Sequence, residues 1–280
     1  MNLIQAILMG IVQGLSEFLP ISSSAHLVFT SNFYKVFKGI EIVHSNEEVF
    51  FDIMLHFGTL IAVFIFFRKD ITEILKALFK GDFSEPKAKT GLYIILGTVI
   101  TVAFALPLDG FAEKLVFSPS IVGILLAVTG VVLIWSERNS NKTLTPPLSQ
   151  GEREVSLKQS VIMAFAQGLA VLPGFSRSGW TIAAGLFSGL DRVTAARYSF
   201  LLSIPIILGA SMLYPFIKLD LHELNTYNWH AIITGTVVSG LTGYLCIKYF
   251  MRFLSKFSLS VFGYYCVIAG LGAAVFFYMV

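Results

Sequence analysis

The chain has 280 residues, of which 55% are hydrophobic and 13% charged, with 26 phenylalanines and a mean hydropathy of +0.77. The charged share is about half that of an ordinary soluble domain, which excludes a water-soluble enzyme and makes lipid the solvent for most of the chain. A net charge of +3 from scattered Lys and Arg excludes a nucleic-acid footprint but suits anionic headgroups, so membrane lipids are expected partners.

Taken from the N-terminus, residues 2–33 are apolar but interrupted near the middle by FLPISSS. Neither half is long enough to cross a bilayer alone, so the region reads as a re-entrant helical hairpin. Its opening run, residues 3–15, has no basic flank and leads into SEFLPISSSAH rather than a small-residue cleavage site, so it is expected to stay in the mature protein. Full-length apolar windows follow at 50–67, 92–108 and 120–135. Residues 139–154, with Pro146 and Pro147 and no apolar run, read as a linker, placed at 137–156. Beyond it, residues 157–190 are again apolar and broken, this time by LPGFSRSG, and spans follow at 198–217, 229–250 and 259–280. Cys246 and Cys266 lie within apolar spans without metal-ligand spacing and are expected to be packed free thiols.

The expected fold is therefore an all-α polytopic membrane protein, one integral membrane domain over 1–280, with six transmembrane helices plus two re-entrant helical hairpins. The connections 68–91, 136–158 and 248–256 carry thirteen Lys and Arg, against four in the alternate connections. This places the richer side, including the linker, in the cytoplasm and both termini outside. Residues 9–24 laid on 163–178, an offset of 154, match at Met, Gln, Gly, Leu and two Ser. Three spans separate the two hairpins, so they would enter from opposite faces. That is an inverted-topology repeat of halves about 1–136 and 157–280, with both polar tips meeting in mid-membrane.

The polar residues at those tips could carry chemistry. Gln13 and Glu17 share one face of the first half-helix. A carboxylate among apolar flanks should face a cavity, a cation or a proton partner, unless it sits in a wet headgroup layer. After Pro20 come Ser22, Ser23 and Ser24, suited to capping the next helix, with His26 three positions beyond Ser23. Ser23 and His26 could be nucleophile and base, or a plain cap and a hydrogen-bonded ring. In PGFSRSGWT, Arg177 stands between Ser176 and Ser178 at a loop-to-helix junction, where a guanidinium fork and a helix N-terminus both favour phosphate. Arg177 could instead cap its own hairpin or pair with Glu17. His56 reads as a packing histidine, and Arg192 and Arg197 as snorkelling anchors.

QGLSEFLPISSSAH and PGFSRSGWT together closely resemble the bacterial undecaprenyl-diphosphate phosphatase family associated with bacitracin resistance. The likeness extends through FFDIMLHFGTL and ARYSFLLSIP to the C-terminal spans. It implies hydrolysis of undecaprenyl diphosphate to undecaprenyl phosphate and inorganic phosphate at the outer, periplasmic face of the bacterial plasma membrane, recycling the lipid carrier for peptidoglycan synthesis. It also implies the six spans and two hairpins already read from the residues. Its acidic motif falls on Gln13 and Glu17, which would hold a divalent cation, Mg²⁺ or Ca²⁺, the amide oxygen of Gln13 serving as one ligand. Its catalytic positions fall on Ser23 and His26, and its phosphate-binding motif on Ser176, Arg177 and Thr181. Ser22, Ser24, Gly174 and Ser178 complete the expected substrate-binding set. Ala25 stands where the family often has Gly.

The sequence after Arg177, SGWTIAAGLF, lacks the His and Asp of the soluble-acid-phosphatase-like lipid phosphatases. Expected partners are a polyprenyl diphosphate, membrane lipids and no nucleic acid, with a homodimer left open. A lipid flippase or transporter is the alternative from another class, because broken helices in inverted repeats are a transporter design.

Overall fold

The structure, a computed structural model, describes residues 2–38, 46–140, 154–218 and 221–279. Eleven α-helices and one 3₁₀ turn account for nearly all of them, with no strand among the described residues. Six helices are long and apolar enough to cross a membrane: α3 (Asn46–Phe66), α5 (Pro86–Val116), α6 (Pro119–Ser140), α9 (Arg192–Lys218), α10 (Trp229–Leu254) and α11 (Ser260–Met279). They fall on the six expected spans; α5, α6, α9 and α10 run past the expected bounds, α3 starts earlier and ends one residue sooner, and α11 lies just inside its bounds. α5 runs 31 residues and carries Pro107 in its interior, which a membrane helix tolerates because its neighbours satisfy the freed backbone groups.

Both broken regions are helix–loop–helix pairs. The first is α1 (Leu3–Ser16) and α2 (Ser23–Lys38); the second is α7 (Leu157–Leu169) and α8 (Arg177–Phe187). Asn2 caps α1 by accepting from Gln5 N–H, a Ser156/Gln159 capping box opens α7, and Ser176 caps α8 by accepting from Gly179 N–H. One helix was not expected. Residues 68–80, read from their charges as loop, form the amphipathic α4 (Arg68–Lys80), which buries Asp70, Ile74 and Ala77 and ends on the left-handed Gly81 at φ 76°. At the linker, α6 continues through Ser140 and Ser156 already caps α7; residues 141–153 lie outside the described set.

The bundle buries an apolar core and in addition presents an apolar surface outward. Ile95, Val99, Ile124, Val131, Val237, Leu241, Ile268 and Val275 are exposed, while Gln13, Glu17, Thr129, Gln167, Thr181 and Ser239 are buried. An apolar exterior enclosing polar groups is the distribution hydrocarbon solvent demands, since buried polar atoms then find partners that lipid cannot offer. Without a hydrophobic drive between helices, close backbone approach holds the bundle. At α6–α11, a Cβ on Gly123 would lie 2.6 Å from the Gly270 carbonyl oxygen, and one on Gly130 would lie 2.4 Å from that of Gly263.

α1 lies on α10 and α7 on α5; α6 pairs with α11, and α3 packs on both α10 and α9.

Arg192 and Arg197 do not snorkel. Arg192 grips Glu137 at the end of α6 with two hydrogen bonds, Nε to Oε1 at 2.8 Å and Nη2 to Oε2 at 2.7 Å. Glu137 also accepts the backbone N–H of Leu259 at 3.0 Å, and Arg197 donates to Asp70 on α4. A guanidinium near a helix end reaches for lipid phosphate only where no carboxylate faces it. Cys246 and Cys266 are buried free thiols, as expected.

Candidate active site

The site forms where the two hairpin loops touch. α1 ends at Ser16, and Glu17 follows as its C-cap, still helical at φ −64° and ψ −39°. The loop then turns at Ser22, the one non-glycine residue among those described with a left-handed backbone, φ 67°, a conformation that must be held in place by its surroundings. His26 holds it: the ring Nδ1 lies 2.8 Å from the Ser22 carbonyl oxygen. A carbonyl only accepts, so Nδ1 carries the proton, and in the neutral ring Nε2 accepts from the Tyr265 hydroxyl at 2.7 Å.

In the second loop Gly174 has φ 99°, and a Cβ there would sit 2.5 Å from the Val122 carbonyl oxygen, so only glycine fits. Its N–H reaches Ser24 Oγ at 3.4 Å, and Ser178 Oγ donates to the Leu19 carbonyl at 3.0 Å. These bonds join the tips directly. Thr129 on α6 fastens the second loop from behind, donating to the Gly174 carbonyl and accepting from Ser176 N–H and Trp180 Nε1–H. The serines flanking each tip make the same local pair, Ser22 with Ser24 at 3.1 Å and Ser176 with Ser178 at 3.2 Å.

At the junction stands the Glu17 carboxylate. Arg177 Nη2, from the first turn of α8, donates to its Oε1. Ser23 Oγ donates to its Oε2 at 2.7 Å and Gln13 Nε2 donates to the same oxygen at 3.1 Å. His56 Nε2 lies 3.6 Å from Oε2, held there by its Nδ1–H on the Asp52 carbonyl. Glu17 is 5% exposed and Arg177 17%, so the carboxylate is enclosed by protein rather than wetted in a headgroup layer. A buried carboxylate needs this many donors to offset lost hydration.

The expected residues thus divide. Gln13, Glu17, Ser23 and Arg177 come together, with Ser22, Ser24, Gly174, Ser176 and Ser178 shaping the two loops around them. His26 is turned to Ser22 and Tyr265, so its ring nitrogens are engaged away from the Ser23 hydroxyl. Thr181 lies one turn further along α8, fully buried, donating to the Arg177 carbonyl at 2.8 Å and paired with Ser199. Two neighbours were not anticipated. His56 is one of the groups facing Glu17, and Thr129 anchors the second tip.

Two polar atoms here are buried without a hydrogen-bond partner: Arg177 Nη1 and Gln13 Oε1. The first is a charged donor awaiting an acceptor, at the positive end of α8, and that is an environment for a phosphate oxygen. The second is a neutral oxygen beside the Glu17 carboxylate. Among the described residues no three His, Cys, Asp or Glu side chains gather into a metal site; a cation of the Mg²⁺ type, which takes most of its ligands from water and substrate phosphate, would find Gln13 Oε1 unpartnered here, with both Glu17 oxygens already accepting from Arg177, Ser23 and Gln13.

An all-helical multi-pass membrane protein that closes a serine, a carboxylate and an arginine inside its bundle belongs with enzymes that work on the polar heads of lipids. The family comparison is specific: residues 6–272 match the model described as Bacitracin resistance protein BacA, and the chain belongs to that family. It is 40% identical to the undecaprenyl-diphosphatase of Halothermothrix orenii over 97% of this chain and 96% of that protein. It is 39% identical to that of Methanosphaera stadtmanae over the same shares, and 37% identical to that of Moorella thermoacetica over 99% and 98%.

Proposed function

We propose that the chain hydrolyses undecaprenyl diphosphate to undecaprenyl phosphate and inorganic phosphate, returning the lipid carrier to peptidoglycan synthesis. The observation that carries this reading is the unpartnered, buried Nη1 of Arg177 beside a serine whose hydroxyl is bonded to a carboxylate. A donor of that kind costs stability unless an anion uses it.

In the mechanism, the diphosphate enters between the tips and Arg177 grips its terminal phosphate, with the dipole of α8 behind it. Positioning and charge stabilisation supply most of the rate. Ser23 Oγ attacks the terminal phosphorus while its proton passes to Glu17 Oε2. The bond from that phosphorus to the bridging oxygen breaks, and the lipid monophosphate leaves with the proton. Glu17 then takes a proton from the water that cleaves the phosphoserine and returns it to Ser23 Oγ. His26 acts through the backbone, holding the Ser22 turn that aims Ser23. Glu17 and Gln13 Oε1 would hold a divalent cation, which when bound supplies further charge neutralisation at the diphosphate.

The Lys and Arg distribution supports a plasma-membrane orientation with the Arg192–Glu137 end cytoplasmic and the mouth of the site on the outer, periplasmic side. The packing of α1 on α10 and of α7 on α5, with α6 on α11, supports an inverted repeat with re-entrant tips.

Purified protein given farnesyl diphosphate in detergent is expected to release inorganic phosphate, with a reduced rate after chelation. Lipid movement in vesicles without phosphate release would replace this reading with a transporter.

A further inference from the structure

α4 (Arg68–Lys80) has no part in the site, yet its residues sort into three faces. At 3.6 residues per turn, Asp70, Ile74 and Ala77 fall on one side and are buried. Leu75 and Phe79 fall on the next and are exposed, Phe79 by 88%. Lys69, Lys76 and Lys80 share the third, also exposed. A surface helix of a soluble protein has two faces, one for the core and one for water. A third that is apolar and turned outward belongs where protein, hydrocarbon and water meet, at the surface plane of a bilayer.

The depth of α4 agrees. It lies along the start of α5, where a Cβ on Gly91 would come 2.7 Å from Leu78 Cδ1 and 2.9 Å from Ile74 Cγ2. Gly91 is the last residue before the apolar run of α5 opens at Leu92, and Lys87 and Lys89 precede it. α4 is therefore level with the edge of the apolar zone rather than within it. Asp70 ties it there by accepting from Arg197 on α9, at the end of the bundle that the Lys and Arg distribution makes cytoplasmic.

Charge then selects the lipid. The nearby carboxylates are engaged: Asp70 by Arg197, Glu73 by Lys87 at 3.2 Å, and Glu85 by Lys80 at 3.9 Å. Among the described residues none pairs with Lys69 or Lys76. A lysine whose stem runs beside an apolar stripe and whose ammonium meets no acid reaches for headgroup phosphate. Two of them, about 10 Å apart along the helix, favour lipids of net negative charge.

We propose that α4 is an interfacial helix that binds anionic phospholipid of the cytoplasmic leaflet, with Leu75 and Phe79 among the first acyl carbons and Lys69 and Lys76 on the phosphates. The bound lipid holds α4, and through Asp70 the start of α9, at the membrane surface. A zwitterionic lipid covers the same apolar stripe but leaves both ammonium groups without a net countercharge.

The test places a bimane fluorophore on Thr72→Cys, an exposed position of α4 beside the apolar stripe, Cys246 and Cys266 being buried. The full chain is reconstituted in phosphatidylcholine vesicles containing rising fractions of brominated phosphatidylglycerol or brominated phosphatidylcholine. Quenching then gives the relative association constant of the two lipids at this helix. Phosphatidylglycerol is expected to be favoured about twenty-fivefold at low ionic strength, from about fivefold for each lysine. Lys69→Gln/Lys76→Gln should lose the preference while still being quenched by both lipids. Arg252→Gln/Lys256→Gln, exposed on the α10–α11 connection, should keep it. Equal association of the two lipids with the bimane-labelled chain otherwise unsubstituted would overturn the proposal, as would a preference that survives Lys69→Gln/Lys76→Gln. Quenching by neither lipid would put water or a protein partner over Leu75 and Phe79 and overturn it as well.

Discussion

Arg177→Ala is expected to lower turnover of a polyprenyl diphosphate by about a thousandfold or more, the range found when a charge-stabilising donor is removed from a phosphoryl-transfer site. Arg177 is the one guanidinium at the tips, and it bridges both charges that matter: Nη2 binds Glu17 and Nη1 is left for substrate. Its removal also leaves Glu17 buried without a countercharge, at a cost of about 3–5 kcal/mol, so thermal unfolding in detergent should shift alongside activity. Arg177→Lys separates the two effects. A lysine restores the charge and most of the stability but lacks the planar fork, so stability should recover well ahead of kcat. Activity within tenfold of the unsubstituted enzyme in Arg177→Ala would place the phosphate elsewhere.

Glu17→Gln carries the second large effect, an expected loss of about a hundredfold to ten-thousandfold in kcat, the usual worth of a positioned proton acceptor. The amide keeps the shape and can still accept from Ser23, so the tip should stay folded. What it loses is basicity and its hold on Arg177. With the competing carboxylate gone, Arg177 has both terminal nitrogens for phosphate, so KM should fall or hold while kcat collapses. A higher KM with kcat preserved would show that Glu17 serves binding alone.

Much of this site could be read from the chain because lipid makes charge conspicuous. Glu17 and Arg177 stand out in apolar runs where an ionised group is costly, and the breaks at Pro20 and at Pro173 and Gly174 mark where those runs turn. The two hairpins are alike in sequence at Gln13 and Gln167, Ser22 and Ser176, Ser24 and Ser178, each pair 154 apart. They also show a division of labour, since the positions of Glu17 and Ser23 are held in the second half by Val171 and Arg177. One tip brings the acid and hydroxyl, the other the cation.

What escaped was long-range. Nothing near His26 in sequence names Tyr265 as its partner, 239 residues away, so the Ser23–His26 spacing invited a nucleophile-base pairing that the fold does not make. His56 lies on an ordinary apolar helix, and only the meeting of α3 with α1 turns its Nε2 toward Glu17. Thr129 resembles any threonine satisfying its own helix. Arg192 and Arg197 looked like lipid anchors because their carboxylates, Glu137 and Asp70, are distant in sequence and read as loop charges. α4 was missed for the same reason, since its charges outweighed the short apolar stripe of Ile74 and Ala77.

Ser23, which shares the Glu17 carboxylate with Arg177, is expected to attack the terminal phosphorus. Acid quenching of the enzyme during turnover of terminally labelled farnesyl diphosphate, followed by peptide mapping, tests it most directly. Label is expected on Ser23, present in the unsubstituted enzyme and absent from Ser23→Ala together with its activity. Full turnover by Ser23→Ala, with no label on any residue, would contradict it.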